Sequence, residues 1–314
     1  MRAVTFSTFG GPEVLEVKDL PVPQPGPGEI RVRVAAATVN PTDLSYRSGG
    51  QTAQLAQLGV HPPYIPGMDL AGVVDAVGPD VTAWRPGDQV MAIVLPRRPG
   101  GGAQAEEVVI PAESAARIPD GATLEAASTL PMNGLTVQLA LDLMKLQPGQ
   151  TLAVTGSAGA VGGYAIQLGA LEGLRVIAVA APKDYDLAKS LGADVVVPRG
   201  EDAAQAIRAV VPEGVDGLID GAVIGGAILP AIRDGGALAA VRAFNDPTER
   251  GITIHQVRVT EYARNQAALD RLRQLASEGR LALRVAETMP PERAAEAHRK
   301  LDAGGVRGRL VIVF

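Results

Sequence analysis

Apolar and polar residues change places in short runs over the first third of the chain. Residues 31–34, RVRV, alternate strictly, and this predicts a half-buried strand; residues 70–77 and 89–94 predict two more. Pro-Gly clusters at 25–28, 66–67 and 85–88 separate these runs as turns. Short strands with frequent turns predict a compact β-barrel or sandwich. Residues 51–65, QTAQLAQLGVHPPYI, show no clean period and are expected to form a surface loop or lid, with a second flexible stretch at 96–102.

Near residue 121 the pattern changes. Near-continuous apolar runs at 151–155, 175–180, 194–197, 217–220 and 237–241 alternate with helical periodicity at 160–171, 184–191 and 201–211. Strands that are apolar at every position are buried on both faces, so this half predicts an α/β doubly wound parallel sheet. After residue 258 a helix is expected over 263–278, a strand near 283–285, a helix over 291–301 and a closing strand over 310–313. This tail is free to complete the first domain.

Composition narrows the picture. A chain of 314 residues exceeds the size at which one core usually stops growing, so two domains are expected. Aromatic residues make up only 3%, which leaves the core to Val, Leu, Ile and Ala. The net charge of -5 comes without a basic block, so no nucleic-acid partner is expected. There are no cysteines, which excludes disulfides, a thiolate zinc site and a thiol nucleophile. No signal-peptide pattern opens the sequence, and no apolar run reaches the roughly 18–20 residues of a membrane span. The expectation is a cytoplasmic protein without a membrane partner.

The chemistry centres on TLAVTGSAGAVGGYAIQLG, residues 151–169. A strand runs into Gly156-Ser157-Ala158-Gly159-Ala160-Val161-Gly162, and a helix follows at once. Glycine permits the tight turn and lets the backbone approach a pyrophosphate; the helix N-terminus offers unpaired N–H groups to that anion. The G-x-x-G-x-x-G spacing differs from G-x-G-x-x-G, but the strand before, the helix after and a second strand roughly 20 residues on supply the context of a dinucleotide site. The other reading is a turn serving only strand–helix packing.

The second strand ends Ala178-Val179-Ala180-Ala181-Pro182-Lys183. An NAD site usually carries an acid there for the ribose 2′-OH. Its absence at Ala180, with Lys183 following and Arg199 after the third strand, points to a 2′-phosphate and hence to NADPH. Asp184 counts the other way, and Lys183 also reads as an ordinary solvated helix-start residue.

Taken together, the sequence resembles the medium-chain dehydrogenase/reductase superfamily, and within it the quinone-oxidoreductase branch that includes zeta-crystallin. The resemblance runs through MRAVTFSTFGGPEVLEV, NPTDLSYRSG, PGMDLAGVV, RPGDQV, NGLTVQLAL, GSAGAVGG, KSLGADVVV, RDGGALAAV and AAEAHRKLDAGGVRGRLVIVF, in that order. It implies a GroES-like catalytic domain over residues 1–121, completed by 260–314, with a Rossmann NADPH-binding domain inserted at 122–259 and the cofactor in the cleft. Zinc-dependent members carry Cys where this chain has Asn40, and His-Glu where it has Met68-Asp69. Asn and Met are poor substitutes for thiolate and imidazole. His61, His255 and His298 are scattered and read as surface residues. No metal site is therefore expected.

The resemblance further implies that Asn40 and Thr136 lie beside the nicotinamide and that the stretch containing Phe244 makes backbone contacts to it. Thr136 also reads as a helix threonine bonded to its own backbone, Asn40 as a turn residue before Pro41, and Phe244 as core. Many relatives carry a Tyr where this chain has Ser45; Tyr46 stands one step later and is kept as a candidate catalytic hydroxyl. Asp43 reads as holding its loop, and Asp220 as structural. The expected function is zinc-independent hydride transfer from NADPH to a small electrophile, a quinone or an α,β-unsaturated carbonyl. A non-catalytic, crystallin-like NADPH-binding protein and a zinc alcohol dehydrogenase are the alternatives. Relatives imply a homodimer, paired through an edge strand at 252–259.

Overall fold

The computed structural model describes residues 1–50 and 52–314. Along the chain run β1 (Arg2–Thr5), β2 (Glu16–Asp19), β3 (Glu29–Thr38), α1 (Pro41–Arg47), α2 (Thr52–Gln57), β4 (Asp69–Val77), β5 (Gln89–Ile93), β6 (Glu107–Pro111), β7 (Ala115–Arg117) and α3 (Leu124–Ala127). Next come α4 (Pro131–Met144), β8 (Thr151–Thr155), α5 (Ala160–Leu171), β9 (Arg175–Ala180), α6 (Tyr185–Ser190), β10 (Val195–Pro198), α7 (Ala203–Val210), β11 (Val215–Asp220), β12 (Ile232–Ala240) and β13 (Thr253–Gln256). The chain closes with α8 (Gln266–Ser277), β14 (Val285–Met289), α9 (Ala294–Ala303) and β15 (Arg309–Val313). It divides into two compact units: residues 1–132, 263–279 and 283–314 form the first, and residues 133–262 with 280–282 the second.

The first unit is built on the long strand β3. Its Ile30, Val32 and Val34 alternate inward, and it pairs antiparallel with β4, β6 and β15. The seven-stranded sheet runs β14-β15-β3-β4-β5-β7 with β6 also on β3. The side chains on its buried face, among them Leu70, Val74, Val90, Val108 and Ile110, form one cluster with Trp84 at its edge. Two N-terminal strands form a separate hairpin.

The second unit is a six-stranded parallel sheet in the order β10-β9-β8-β11-β12-β13. Strand β8 is buried at every position and β9 at all but its first, as a sheet covered on both faces requires. The order reverses between β8 and β11. In such sheets, ligands bind beyond the carboxyl ends of the strands at that switch point.

Two expectations need correction. Part of residues 51–65 is helical: α2 forms over TAQLAQ, and Leu55 on it is buried against Phe6, Tyr46 and Tyr64. Gln51 lies outside the described residues. His298, expected at the surface, is fully buried on α9, because that face of the helix packs against the first unit's core.

Candidate active site

In the second unit the glycine turn leaves β8 at the switch point. Gly156 has φ +61°, a left-handed conformation that glycine adopts without strain. A Cβ there would come within 2.9 Å of the Gly221 carbonyl carbon, so the turns after β8 and β11 touch backbone to backbone. A Cβ on Gly162 would stand 2.3 Å from the Gly156 carbonyl oxygen, so only glycine lets α5 start this close to the strand. Gly159 caps α5 without a side chain, and its N–H donates to the Gly156 carbonyl at 2.9 Å. The N–H groups of Ala160, Val161 and Gly162, in the first turn, have no acceptor within the helix, an arrangement suited to a phosphate. Ser157 turns inward and donates to the Val179 carbonyl at 2.6 Å, which ties the turn to β9. Thr155 donates to Asp220 at 2.6 Å, and Asp220 also accepts from the Gly225 N–H at 2.9 Å, which fixes the neighbouring turn.

Ala180 ends β9 opposite Pro198 of β10, and the Arg199 N–H donates to the Ala180 carbonyl at 2.9 Å. Lys183 and Arg199 are both exposed. They leave the carboxyl ends of two adjacent strands, with no carboxylate at the end of β9 itself. Asp184 is buried. Thr136 is buried on α4, and Phe244 is half-buried, packed on the sheet's core cluster.

In the first unit Asn40 is at the centre of a buried charge network. The register sets it. Thr38 of β3 stands at the end of the pairing that places Ala37 opposite Leu70, and Val311 of β15 stands opposite Thr38. Asp69 therefore meets Thr38, and Arg309 reaches the start of α1. Asp69 accepts from Thr38 at 2.7 Å, from the Asn40 amide at 3.0 Å and from Arg309 at 3.2 Å. Arg309 also donates to the Asn40 amide oxygen at 2.6 Å, and the other Asp69 oxygen accepts from the Met132 N–H at 2.6 Å, inside the first turn of α4. Asp43 accepts from the backbone N–H groups of Asn40 at 2.8 Å and Gly67 at 2.9 Å. Burial pushes its carboxyl up to about 7, against the pull of those two donors.

Both positions where zinc-dependent relatives carry ligands are taken up within the protein, one by the network and one by packing. Asn40 engages Arg309 and Asp69 through its amide, and Met68 is buried in the core. Among the described residues no group of three or more His, Cys, Asp or Glu could hold a metal ion. Tyr46 sits on α1, fully buried, edge-on to Phe6 at 5.2 Å, with a hydroxyl that has no partner. Burial pushes its pKa upward, so the phenol stays protonated.

The sequence reading missed Thr38, Asp69 and Arg309 as a unit, and Val223. Val223 follows β11 beside the glycine turn, is exposed and has φ +57°. A β-branched residue in that region is strained, and such strain gathers at functional sites. The only available signal was Asp69 inside PGMDLAG.

A parallel sheet with a glycine turn at its switch point, joined to a largely antiparallel β unit formed by both chain ends, defines a dinucleotide-dependent dehydrogenase or reductase. The family profile for the alcohol dehydrogenase GroES-like domain matches residues 26–120, and that for zinc-binding dehydrogenases matches residues 191–312. A chloroplastic quinone-oxidoreductase from Triphysaria versicolor is 31% identical over 226 residues, 70% of this chain and 67% of the relative. A solved NAD-dependent alcohol dehydrogenase is 32% identical, with a TM-score of 0.87 and full coverage of both chains. A mycobacterial protein solved in complex with NADPH is 30% identical, also with a TM-score of 0.87 and full coverage of both chains. The chain belongs to the medium-chain dehydrogenase/reductase superfamily, in its quinone-oxidoreductase branch. No helix among the described residues is long and apolar enough to cross a membrane.

Proposed function

We propose that the protein is a zinc-independent, NADPH-dependent reductase acting on a small electrophile, a quinone or an α,β-unsaturated carbonyl. The observation that carries this reading is the glycine turn after β8 combined with a carboxylate-free end of β9 flanked by Lys183 and Arg199. The turn fits a dinucleotide pyrophosphate, since a Cβ at Gly156 or Gly162 would collide with backbone. In this reading the turn residues 156–161 hold the pyrophosphate, with Ala180 leaving room beside the ribose. Lys183 and Arg199 pair with the 2′-phosphate, and Thr136 and the backbone around Phe244 serve the nicotinamide end. NADPH, when bound, supplies the hydride.

Asn40 acts by position: its amide is held by Arg309 and Asp69, which fixes the end of β3 and the start of α1. Without a Lewis acid to polarise an isolated carbonyl, conjugated acceptors are favoured, because conjugation spreads the developing charge. The proton comes from water, as the Tyr46 hydroxyl is buried within the aromatic cluster. Two copies pair through β13, and the protein acts in the cytoplasm. The likeness to a solved NAD-dependent alcohol dehydrogenase makes the cofactor preference a quantity to measure.

The test is a steady-state screen of quinones, enones and simple ketones with NADPH after exhaustive chelation. Turnover of a quinone or enone, with ketones inert, is expected. Tight NADPH binding with no acceptor turned over would instead support a non-catalytic binding protein, and loss of activity on chelation would support a metal-dependent one.

A further inference from the structure

We propose that the β-rich unit carries a second small-molecule site, shaped for a small aromatic anion. A cavity of ≈ 350 Å³ opens in this unit, walled by Leu20, Val60, Tyr64 and Ile65, with Tyr46 behind them. Pockets of this size with apolar walls and a few polar groups are typical of small ligands.

Its rim is apolar as well. Four large hydrophobic side chains are exposed among the described residues, and three of them adjoin lining residues of this cavity, in sequence or by ring stacking. Val22, 41% exposed, stands between Pro21 and Pro23, both part of the wall. Leu58, 50% exposed, leads directly into Gly59 and Val60 of the wall. Phe9, 38% exposed, stacks on Tyr64 with ring centroids 5.5 Å apart and planes 21° apart. The fourth, Val223, belongs to the other unit. Isolated exposed hydrophobic residues mean little, but a cluster around one concavity marks a binding surface.

Arg98 supplies the one formal charge in the cavity lining, with Glu29 as its charged neighbour. Arg98 and His61 line it, and no Asp or Glu does among the described residues. Arg98 is anchored by the Gly101 and Val109 carbonyls, so a positive charge is held in the wall. Two rings lie in the lining: Tyr64, which stacks with Phe9, and Tyr46, which meets Phe6 edge to face. Aromatic ligands pack well on such rings, and a carboxylate complements the lone cationic wall. None of Thr38, Asn40 or Asp69 lines the cavity, and neither does any residue of the glycine turn. The cavity thus shares no residue with the buried network or with the glycine turn.

The experiment is calorimetric titration of the full chain with 1-naphthoate, with and without saturating NADPH. Saturable one-site binding is expected. Val22→Glu and Leu58→Glu change only exposed positions, so the fold survives, as an unchanged melting temperature will show. A like charge on the rim should weaken 1-naphthoate by about tenfold in at least one of the two variants. The neutral analogue 1-naphthalenemethanol should bind about tenfold more weakly than the anion. Absence of saturable binding, displacement by NADPH, unchanged affinity in both variants, or equal affinity for the neutral analogue would each overturn the proposal.

Discussion

At the scale of single residues, the Asp69–Arg309 pair makes the sharpest statement. Both groups are buried, at 0% and 4% side-chain exposure, and they bond each other along with Thr38 and Asn40, leaving the Arg309 Nε without a partner. Removing one partner of such a pair leaves a buried charge without compensation, which costs about 3–5 kcal/mol, whereas replacing both with apolar groups of similar volume is often neutral. Asp69→Leu and Arg309→Met should each lower stability by about that amount in denaturant unfolding, and the double variant should recover most of it. Additive losses in the double variant would show that the pair does not act as a unit. The double variant should still lose turnover, because Asn40 is then no longer held. Asp69 inside PGMDLAG is the one local sign of this network. Arg309 reads as the polar start of a closing strand, and its partner lies 240 residues away, brought near by the register of β15 on β3 and of β3 on β4.

At the scale of elements, α9 carries a buried titratable group. His298 has both ring nitrogens without a partner, and burial together with the nearby Arg47 pulls its pKa down to about 3. The folded protein thus keeps the ring neutral, while the unfolded chain protonates it near pH 6.5. The unfolded state binds more protons below that value, so this contribution is complete above pH 6.5 and is lost as pH falls toward 3. Asp43 works with the opposite sign. Its carboxyl, raised to about 7, contributes stability below pH 3.8 that is lost as pH rises through 7. The measurable quantity is therefore a difference: in acid melts over pH 7 to 4, His298→Phe should lose less stability than the wild type. Parallel curves would contradict the assignment. Several elements were readable in advance. The periods of α5 and β9 appear over the predicted residues because apolar spacing and the flanking glycines act locally. Helix α2 and the burial of His298 depend on contacts with distant segments, so no local period marked them.

At the scale of the whole molecule, the parallel sheet ends at β13, a strand paired on one side only. If copies of the chain join through this edge, Gln256→Pro should keep the ladder to β12 and yield a monomer in sedimentation, since the Val257 N–H bonds the Ala240 carbonyl and the alternate Gln256 N–H therefore faces the open edge. A wild-type monomer would dismiss the dimer. The two-part architecture was legible because its halves obey different hydrophobic patterns. The glycine turn was legible because its spacing is a backbone requirement, which the contacts at Gly156 and Gly162 make explicit. What no local pattern conveys is the acceptor, whose pocket depends on side chains from separate segments. The proposed cofactor site puts NADPH on the turn, with Lys183 and Arg199 on its 2′-phosphate. Its most direct test is kcat/KM for NADPH and NADH in the wild type and in the Lys183→Ala/Arg199→Ala variant. The account predicts a wild-type preference for NADPH of at least about tenfold, abolished in the variant with NADH kinetics unchanged. Equal use of both cofactors by the wild type, or a preference that survives the double substitution, would contradict it.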